Sequence, residues 1–269
     1  MTNLEPWVIS ILADPVSKQP CQPDAFNSSQ GVIDARVFLK NTHGYRDWVE
    51  GQYFYEGEFS VKDVMTVEAY KSEINYDRPI YQHYLMAGRI LDCGGGAGSV
   101  REFLTDDVEI VSTDPWLQAP FAISNERKEA YKCMSRQLNF IGATAEFQPF
   151  IAGSFDWVHM RSMLDHVQLA DLAVLEASRV LKPGGRVLIG LYVDGGKSGI
   201  ISFSHRVKNL IKSGLELLGF DRWKDHHIWH PTYKNLLKLL ADCGFKIEDT
   251  YWQPKWKDMV CYVCARKPI

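Results

Sequence analysis

Asp92, three spaced glycines and a second acid, Asp114, are the residues whose types and spacing most directly suggest chemistry. In Ile90-Leu91-Asp92-Cys93-Gly94-Gly95-Gly96-Ala97-Gly98, an apolar strand ends in an acid and runs straight into Gly94, Gly96 and Gly98. Backbone without side chains lets a ligand lie directly against such a turn. A dinucleotide fingerprint wants glycine at the first, third and sixth positions, and Ser99 stands at the sixth, which argues against that ligand. Val108-Glu109-Ile110-Val111-Ser112-Thr113-Asp114 reads as a second strand closing on an acid, at the distance where such folds set a carboxylate on a ribose diol. Pro115 and Trp116 follow at once, and the indole is well placed to stack on a base.

The pattern Asp-x-Gly-x-Gly-x-Gly resembles the first motif of the class I methyltransferases that use S-adenosylmethionine. Three further motifs follow in that family's order. Thr144-Ala145-Glu146 and the run to Phe150 look like its adenine-side loop, Gly153 to Val158 like its fourth strand, and Leu181-Lys182-Pro183-Gly184-Gly185 like the turn before its fifth. The family often has an acid where Thr144 stands, and a hydroxyl accepts a hydrogen bond more weakly than a carboxylate. The resemblance covers about residues 75 to 269 and implies S-adenosyl-L-methionine as cofactor. It implies cofactor contacts from Asp92, Gly94, Gly95, Gly96, Gly98, Asp114, Pro115, Trp116, Thr144, Ala145, Glu146 and Arg161. For Arg161 the alternative is a structural pair with Asp92 or Asp156.

Methyl transfer from a sulfonium is an in-line displacement with a neutral leaving group, so such an enzyme mainly supplies alignment and a dry site. A hydroxyl acceptor must also lose its proton. Asp165 and His166 follow the fourth strand, where a doubly wound sheet gathers reacting groups, and His166 is a candidate general base. The alternative is that it packs on the next helix. His227 and His230, in Asp225-His226-His227-Ile228-Trp229-His230, are rival candidates for substrate contact. A helix would align His226 and His230 as metal ligands, but Pro231 argues against one, and no metal is expected. No zinc is expected at Asp14 and Ser17 either, where a faint zinc-ribbon-like pattern would require thiolates. Cys261 and Cys264 have the spacing of a metal or redox pair, yet residues three apart on a strand face opposite ways. Gly195-Gly196-Lys197-Ser198 imitates the end of a phosphate loop, but Leu191 replaces the earlier glycine.

These residues need elements to hold them. Strands at 89–93, 108–113, 139–143, 155–160 and 186–192 alternate with helices near 98–104, 124–137 and 168–181, which predicts a doubly wound, mostly parallel α/β sheet. Helix 232–242 and strand-like runs 245–252 and 259–265 follow, the last two close enough to form a hairpin. By resemblance the sheet is seven-stranded and Rossmann-like, with an antiparallel strand at its edge. Residues 1–60 lack helical periodicity and predict a small appendage of strands and turns, and 61–269 the methyltransferase-like domain. A helical lead-in is expected over 61–84. Within an insertion at 194–231, residues 200–218 carry an apolar helical face, readable as a lid or as an extra helix covering the sheet edge.

With 46% hydrophobic and 23% charged residues, the 269-residue chain has an ordinary globular composition. A net charge of -3 gives no general pull toward nucleic acid, and Met160-Arg161-Ser162-Met163 lacks the Asn/Asp-Pro-Pro-aromatic motif of base-methylating enzymes. No signal peptide and no run long enough to span a bilayer are seen, so a cytoplasmic location is expected. The expected acceptor is a small molecule, with a hydroxyl of a sugar or secondary metabolite favoured. The alternatives are an N- or C-methyltransferase of a quinone or lipid precursor, or a binding module without turnover. Oligomeric state is left open.

Overall fold

Ile90, Leu91, Val111, Ile141, Val158, Leu188 and Ile189 are all fully buried, as strands covered on both faces require. The structure, a computed structural model, describes residues 4–62, 65–200, 225–254 and 258–269. Its strands are β1 (Asn27–Ser29), β2 (Val32–Asp34), β3 (Arg89–Cys93), β4 (Glu109–Asp114), β5 (Phe140–Gly142), β6 (Phe155–Arg161), β7 (Leu181–Tyr192), β8 (Lys246–Trp252) and β9 (Val260–Arg266). They form one sheet in the order β1-β2-β5-β4-β3-β6-β7-β9-β8. From β2 to β7 every neighbour is parallel, whereas β9 runs antiparallel to both β7 and β8. The predicted doubly wound architecture and the C-terminal hairpin are therefore present.

The sheet has nine strands instead of seven. The two extra strands come from the N-terminal region: Ile33 pairs with Ile141 and Asp34 with Gly142, so the β1–β2 hairpin continues the sheet beyond β5. Six helices flank the sheet among the described residues: α1 (Pro6–Ser10), α2 (Tyr45–Lys62), α3 (Val67–His83), α4 (Asn125–Ala130), α5 (Ala170–Val180) and α6 (Tyr233–Asp242). Thr66 caps α3 by accepting from the Ala69 amide, and Thr232 caps α6 by accepting from the Asn235 amide. The helix expected over 98–104 is a 3-10 turn, Ser99–Phe103, and the one expected over 124–137 stops at Ala130 before a second 3-10 turn, Lys132–Ser135.

α2 is the larger surprise, eighteen residues long in a region whose composition suggested only strands and turns. It has no aliphatic stripe. Trp48, Gln52, Tyr55 and Glu56 nonetheless share one face at helical spacing, and all four line a cavity. A helix whose inward face mixes aromatic and polar side chains against a cavity has no aliphatic stripe, and so it escapes a hydrophobic-period reading. The proposed lid helix at 200–218 falls almost wholly outside the described residues.

In β9, Cys261 packs with Val187 and Ile189 on one side of the sheet, and Cys264 with Trp157 and Leu188 on the other. No described helix is long and apolar enough to cross a membrane. Asp14 accepts from the Val16 and Ser17 amides and so closes a turn.

Close packing between β7 and β9 supplies a test of the sheet. A Cβ on Gly190 would come within 2.4 Å of the Tyr262 ring, and both residues lie inside the sheet's core. Gly190→Val should lower unfolding free energy by about 1–3 kcal/mol in urea titration, the usual range for overpacking. A loss below a few tenths would mean that β7 and β9 are not in this register.

Candidate active site

Reversal of strand order beside β3 opens a crevice at the carboxyl ends of the parallel strands, where ligands of doubly wound sheets bind. The chain fills one wall with the loop after β3. Gly94 and Gly95 donate their amides to the Thr113 carbonyl at 2.8 and 3.1 Å, tying the loop to β4. Gly95 has no room for a side chain, since a Cβ there would sit 2.1 Å from Asp92 Oδ2. Gly96 differs: its φ of +51° favours glycine, and a Cβ there would meet nothing within 4 Å, so it would project into open space.

Beneath the loop lies a buried polar network. Asp92 Oδ1 is 2.8 Å from His159 Nδ1, and Oδ2 accepts from Ser112 Oγ at 3.1 Å. His159 Nε2 meets Tyr81 Oη at 3.1 Å, which carries the network into α3. Asp92 and Gly98 support the loop and do not line the cavity.

The cavity has a volume of about 370 Å3, within the span of small-ligand sites at roughly 300–1,000 Å3. Gly94, Gly95, Gly96, Asp114, Pro115, Trp116, Thr144, Ala145, Glu146 and Arg161 all line it. Asp114 Oδ2 accepts from the Gly96 amide at 3.0 Å and Oδ1 from the Trp116 amide at 2.9 Å. Burial nevertheless lifts its pKa to about 6, against the pull of those two amides and with small additions from Asp92 and Glu56. Each oxygen keeps a further lone pair for a ligand. Thr144 donates its hydroxyl proton to the Val37 carbonyl at 3.0 Å, which leaves its oxygen able to accept. Glu146 is engaged differently: its Oε1 accepts from the Gln168 and Leu169 amides at 2.7 and 3.1 Å and anchors the start of α5.

At the other end, Arg161 pairs with Asp77 of α3 at 2.6 Å instead of with Asp92 or Asp156. Asp92 is engaged by His159 and Ser112, and Asp156 by Lys182 and the Arg89 amide. His166 also lines the cavity, with the Tyr55 ring edge-on at 4.3 Å. Burial pushes the His166 pKa down, and the Asp165 charge partly opposes this. Asp165 and His227 stand beside it: His166 Nε2 is 3.6 Å from Asp165 Oδ1, and His227 Nε2 is 3.7 Å from Asp165 Oδ2. His230 is more remote, 3.9 Å from Asp225, and His226 stacks on Phe54 at 4.3 Å. The structure thus gathers Asp165, His166 and His227 but sets His226 and His230 apart.

Sequence reasoning missed Trp48, Gln52, Tyr55, Glu56 and Asp77. The signal was present at the first four, whose spacing of four, three and one fits a single helix face; nothing in the sequence marked that face as the one over the loop.

Comparison with known proteins agrees with this geometry. Residues 91–189 match a family model described as a methyltransferase domain. A ubiquinone/menaquinone biosynthesis C-methyltransferase of Pseudomonas aeruginosa (strain UCBPP-PA14) is 31% identical over 178 residues, covering 58% of this chain and 64% of that one. One from Agrobacterium fabrum is 36% identical over 104 residues, 38% of this chain and 40% of that one. The chain thus spans less than two thirds of the length of these curated relatives. Among solved structures, the 1,6-didemethyltoxoflavin-N1-methyltransferase of Burkholderia thailandensis, bound to 1,6-didemethyltoxoflavin and S-adenosylhomocysteine, shares the fold at TM-score 0.51 and 15% identity, with 88% of this chain and 95% of that chain covered. The [4+2]-cyclase SpnF shares it at TM-score 0.52 and 20% identity, with 71% and 79% covered. Residues 91–189 thus match a methyltransferase domain, and over that span the chain is similar to the class I S-adenosylmethionine-dependent methyltransferases.

The raised pKa of Asp114 carries a pH signature. A diol donates to the carboxylate and favours its ionised form, so affinity for S-adenosylhomocysteine should fall as pH drops through about 6, by up to about tenfold per unit. The fold responds with the opposite sign. A carboxyl whose folded pKa is raised adds stability that is fully present below its unfolded value and is lost as pH rises through about 6. Calorimetry between pH 5 and pH 8 checks this, and Asp114→Asn should flatten the dependence.

Proposed function

We propose that this chain is an enzyme that moves the methyl group of S-adenosylmethionine to a small-molecule acceptor, with a hydroxyl oxygen the favoured acceptor. The observation that carries the reading is the pairing, across one cavity, of the Gly94–Gly96 loop with a half-buried carboxylate, Asp114, that keeps free acceptor capacity. The residues fit the cofactor on their own chemistry. Gly96 leaves open space where any side chain would intrude, Asp114 suits a ribose diol, and Trp116, Thr144 and Ala145 offer a ring face and an acceptor for the adenine.

The cofactor supplies an electrophilic methyl on a positively charged sulfur. An acceptor lone pair forms the new bond to that carbon as the carbon–sulfur bond breaks, its electron pair stays on sulfur, and the sulfur becomes neutral. The protein's part is alignment and exclusion of water. α2 lines the cavity with Trp48 and Tyr55, while the pair with Asp77 holds Arg161 in its wall. An acceptor hydroxyl has to release its proton, and the Asp165, His166 and His227 group beside Tyr55 is where that demand is met.

A second reading is carbon methylation of a quinone precursor, favoured by the names of the curated relatives. SpnF, named as a cyclase on the same fold, is the reason that turnover itself has to be measured. Incubation of the protein with S-adenosylmethionine and panels of sugars, phenols and quinols, read by product mass and release of S-adenosylhomocysteine, separates these readings. A gain of one methyl on oxygen supports the first, one on ring carbon the second, and cofactor binding without any release points to a binding module.

Two variants test the cofactor site itself. Gly96→Val should abolish measurable binding of S-adenosylhomocysteine with the fold retained by circular dichroism. Asp114→Ala should weaken binding by roughly 1.5–3 kcal/mol for each charge-assisted hydrogen bond lost. Unchanged affinity in a folded Gly96→Val protein would sink the assignment.

A further inference from the structure

Asp165, His166 and His227 bring one carboxylate and two imidazoles together from segments about sixty residues apart, with candidate ligand atoms all within 4.8 Å of one another. Hydrogen bonding does not explain the arrangement. The separations of 3.6 and 3.7 Å between the imidazole nitrogens and the two Asp165 oxygens exceed hydrogen-bond length. They lie close to the roughly 3.4 Å edge of a tetrahedron whose centre is about 2.0–2.1 Å from each donor.

A second observation is independent of those distances. Asp165 is only 7% exposed, and its Oδ1 is buried with no hydrogen-bond partner among the described residues. An unpaired buried carboxylate oxygen is costly unless a cation meets it. The orphan oxygen is the one nearest His166 Nε2.

An outer partner orients one of the two imidazoles, His227, whereas His166 Nδ1 is buried with no hydrogen-bond partner among the described residues. Asp225 Oδ1 lies 2.6 Å from His227 Nδ1, and a carboxylate there fixes the proton on Nδ1 and leaves the lone pair on Nε2, the atom that faces Asp165. The Asp165 carbonyl accepts from the Ile228 and Trp229 amides at 2.7 and 3.2 Å, which clamps the His227 segment onto the segment after β6.

We propose that Asp165, His166 and His227 form a site for a divalent first-row metal ion of the zinc type, with an open position that holds an oxygen of the acceptor. Two nitrogens and one carboxylate suit zinc or its neighbours, not calcium or magnesium, which prefer all-oxygen shells. Three protein ligands leave room for a fourth from water or substrate. His166 lines the cavity and so joins the ion to the acceptor end. The sequence reading expected no metal at this segment because it weighed His226 with His230; the residues that would complete a set with His227 follow β6, far away in sequence. The role toward the acceptor rests on the proposed methyl transfer, whereas the binding of the ion does not.

Titration of the full chain, stripped with a chelator and free of S-adenosylmethionine, tests the site. Zn2+ binding by calorimetry should give one ion per chain, and Co2+ should give the intense visible absorption of a four-coordinate ion. His166→Ala with His227→Ala together should lower Zn2+ affinity by at least a hundredfold, and Asp225→Asn by about 10–100-fold. His83→Ala, far from the cluster and paired with Asp249, should leave affinity within twofold. If the folded double variant binds Zn2+ as tightly as the parent, the site is overturned. Should the double variant prove unfolded, Asp225→Asn decides, and its unchanged affinity overturns the site equally. Failure here leaves methyl transfer by metal-free protein measurable, and failure of methyl transfer leaves zinc binding measurable.

Discussion

A carboxylate buried under a glycine turn is the constraint from which the rest of the site follows. Asp92 is 2% exposed and sits where any side chain at position 95 would collide with it. Its stability in that place depends on His159 and Ser112, one from each neighbouring strand, so three strands are bound to a single group. Breaking such a network by removing one member leaves the others unpaired, typically at a cost of about 3–5 kcal/mol. The loop can therefore be both free of side chains and rigid. Rigidity brings the Gly96 amide to Asp114, and that bond in turn sets the carboxylate's direction into the cavity.

Opposite the loop, α2 and α3 complete the enclosure by means unlike the sheet's. Tyr81 reaches down to His159 and Asp77 reaches across to Arg161, so α3 is fastened by polar contacts at both levels of the site. α2 approaches the segment 225–230 closely at Gly51, where a Cβ would be 3.1 Å from the His226 carbonyl. That approach sets Tyr55 against His166 and places the acceptor end between a helix from the start of the chain and a segment from its last quarter.

The legible part of this arrangement was the part made by local sequence. An apolar strand into glycines fixes a strand–turn unit within nine residues, and Asp114 at the close of the next strand needs only one further element, so both could be read directly. Contacts made by distant segments could not. Arg161 lines the cavity, but the ion-pair partner expected for it was Asp92 or Asp156, and it pairs with Asp77, eighty-four positions earlier in the chain. The helix at Tyr45–Lys62 mixes aromatic and polar residues, Trp48, Gln52, Tyr55 and Glu56, on the face that lines the cavity, and periodicity of apolar residues has no purchase there. His227 joins Asp165 only after the chain has crossed β7 and most of the insertion. The β1–β2 strands were too short to announce which sheet edge they would extend.

The central claim is that the cavity between the Gly94–Gly96 loop and α2 is a binding site for S-adenosylmethionine. A crystal structure of the chain with S-adenosylhomocysteine measures it most directly. The account requires the ribose diol on the Asp114 carboxylate, the ligand backbone against Gly94 to Gly96, and the adenine beside Trp116, Thr144 and Ala145. A ligand bound elsewhere, or one in this cavity whose diol leaves Asp114 untouched, would contradict it.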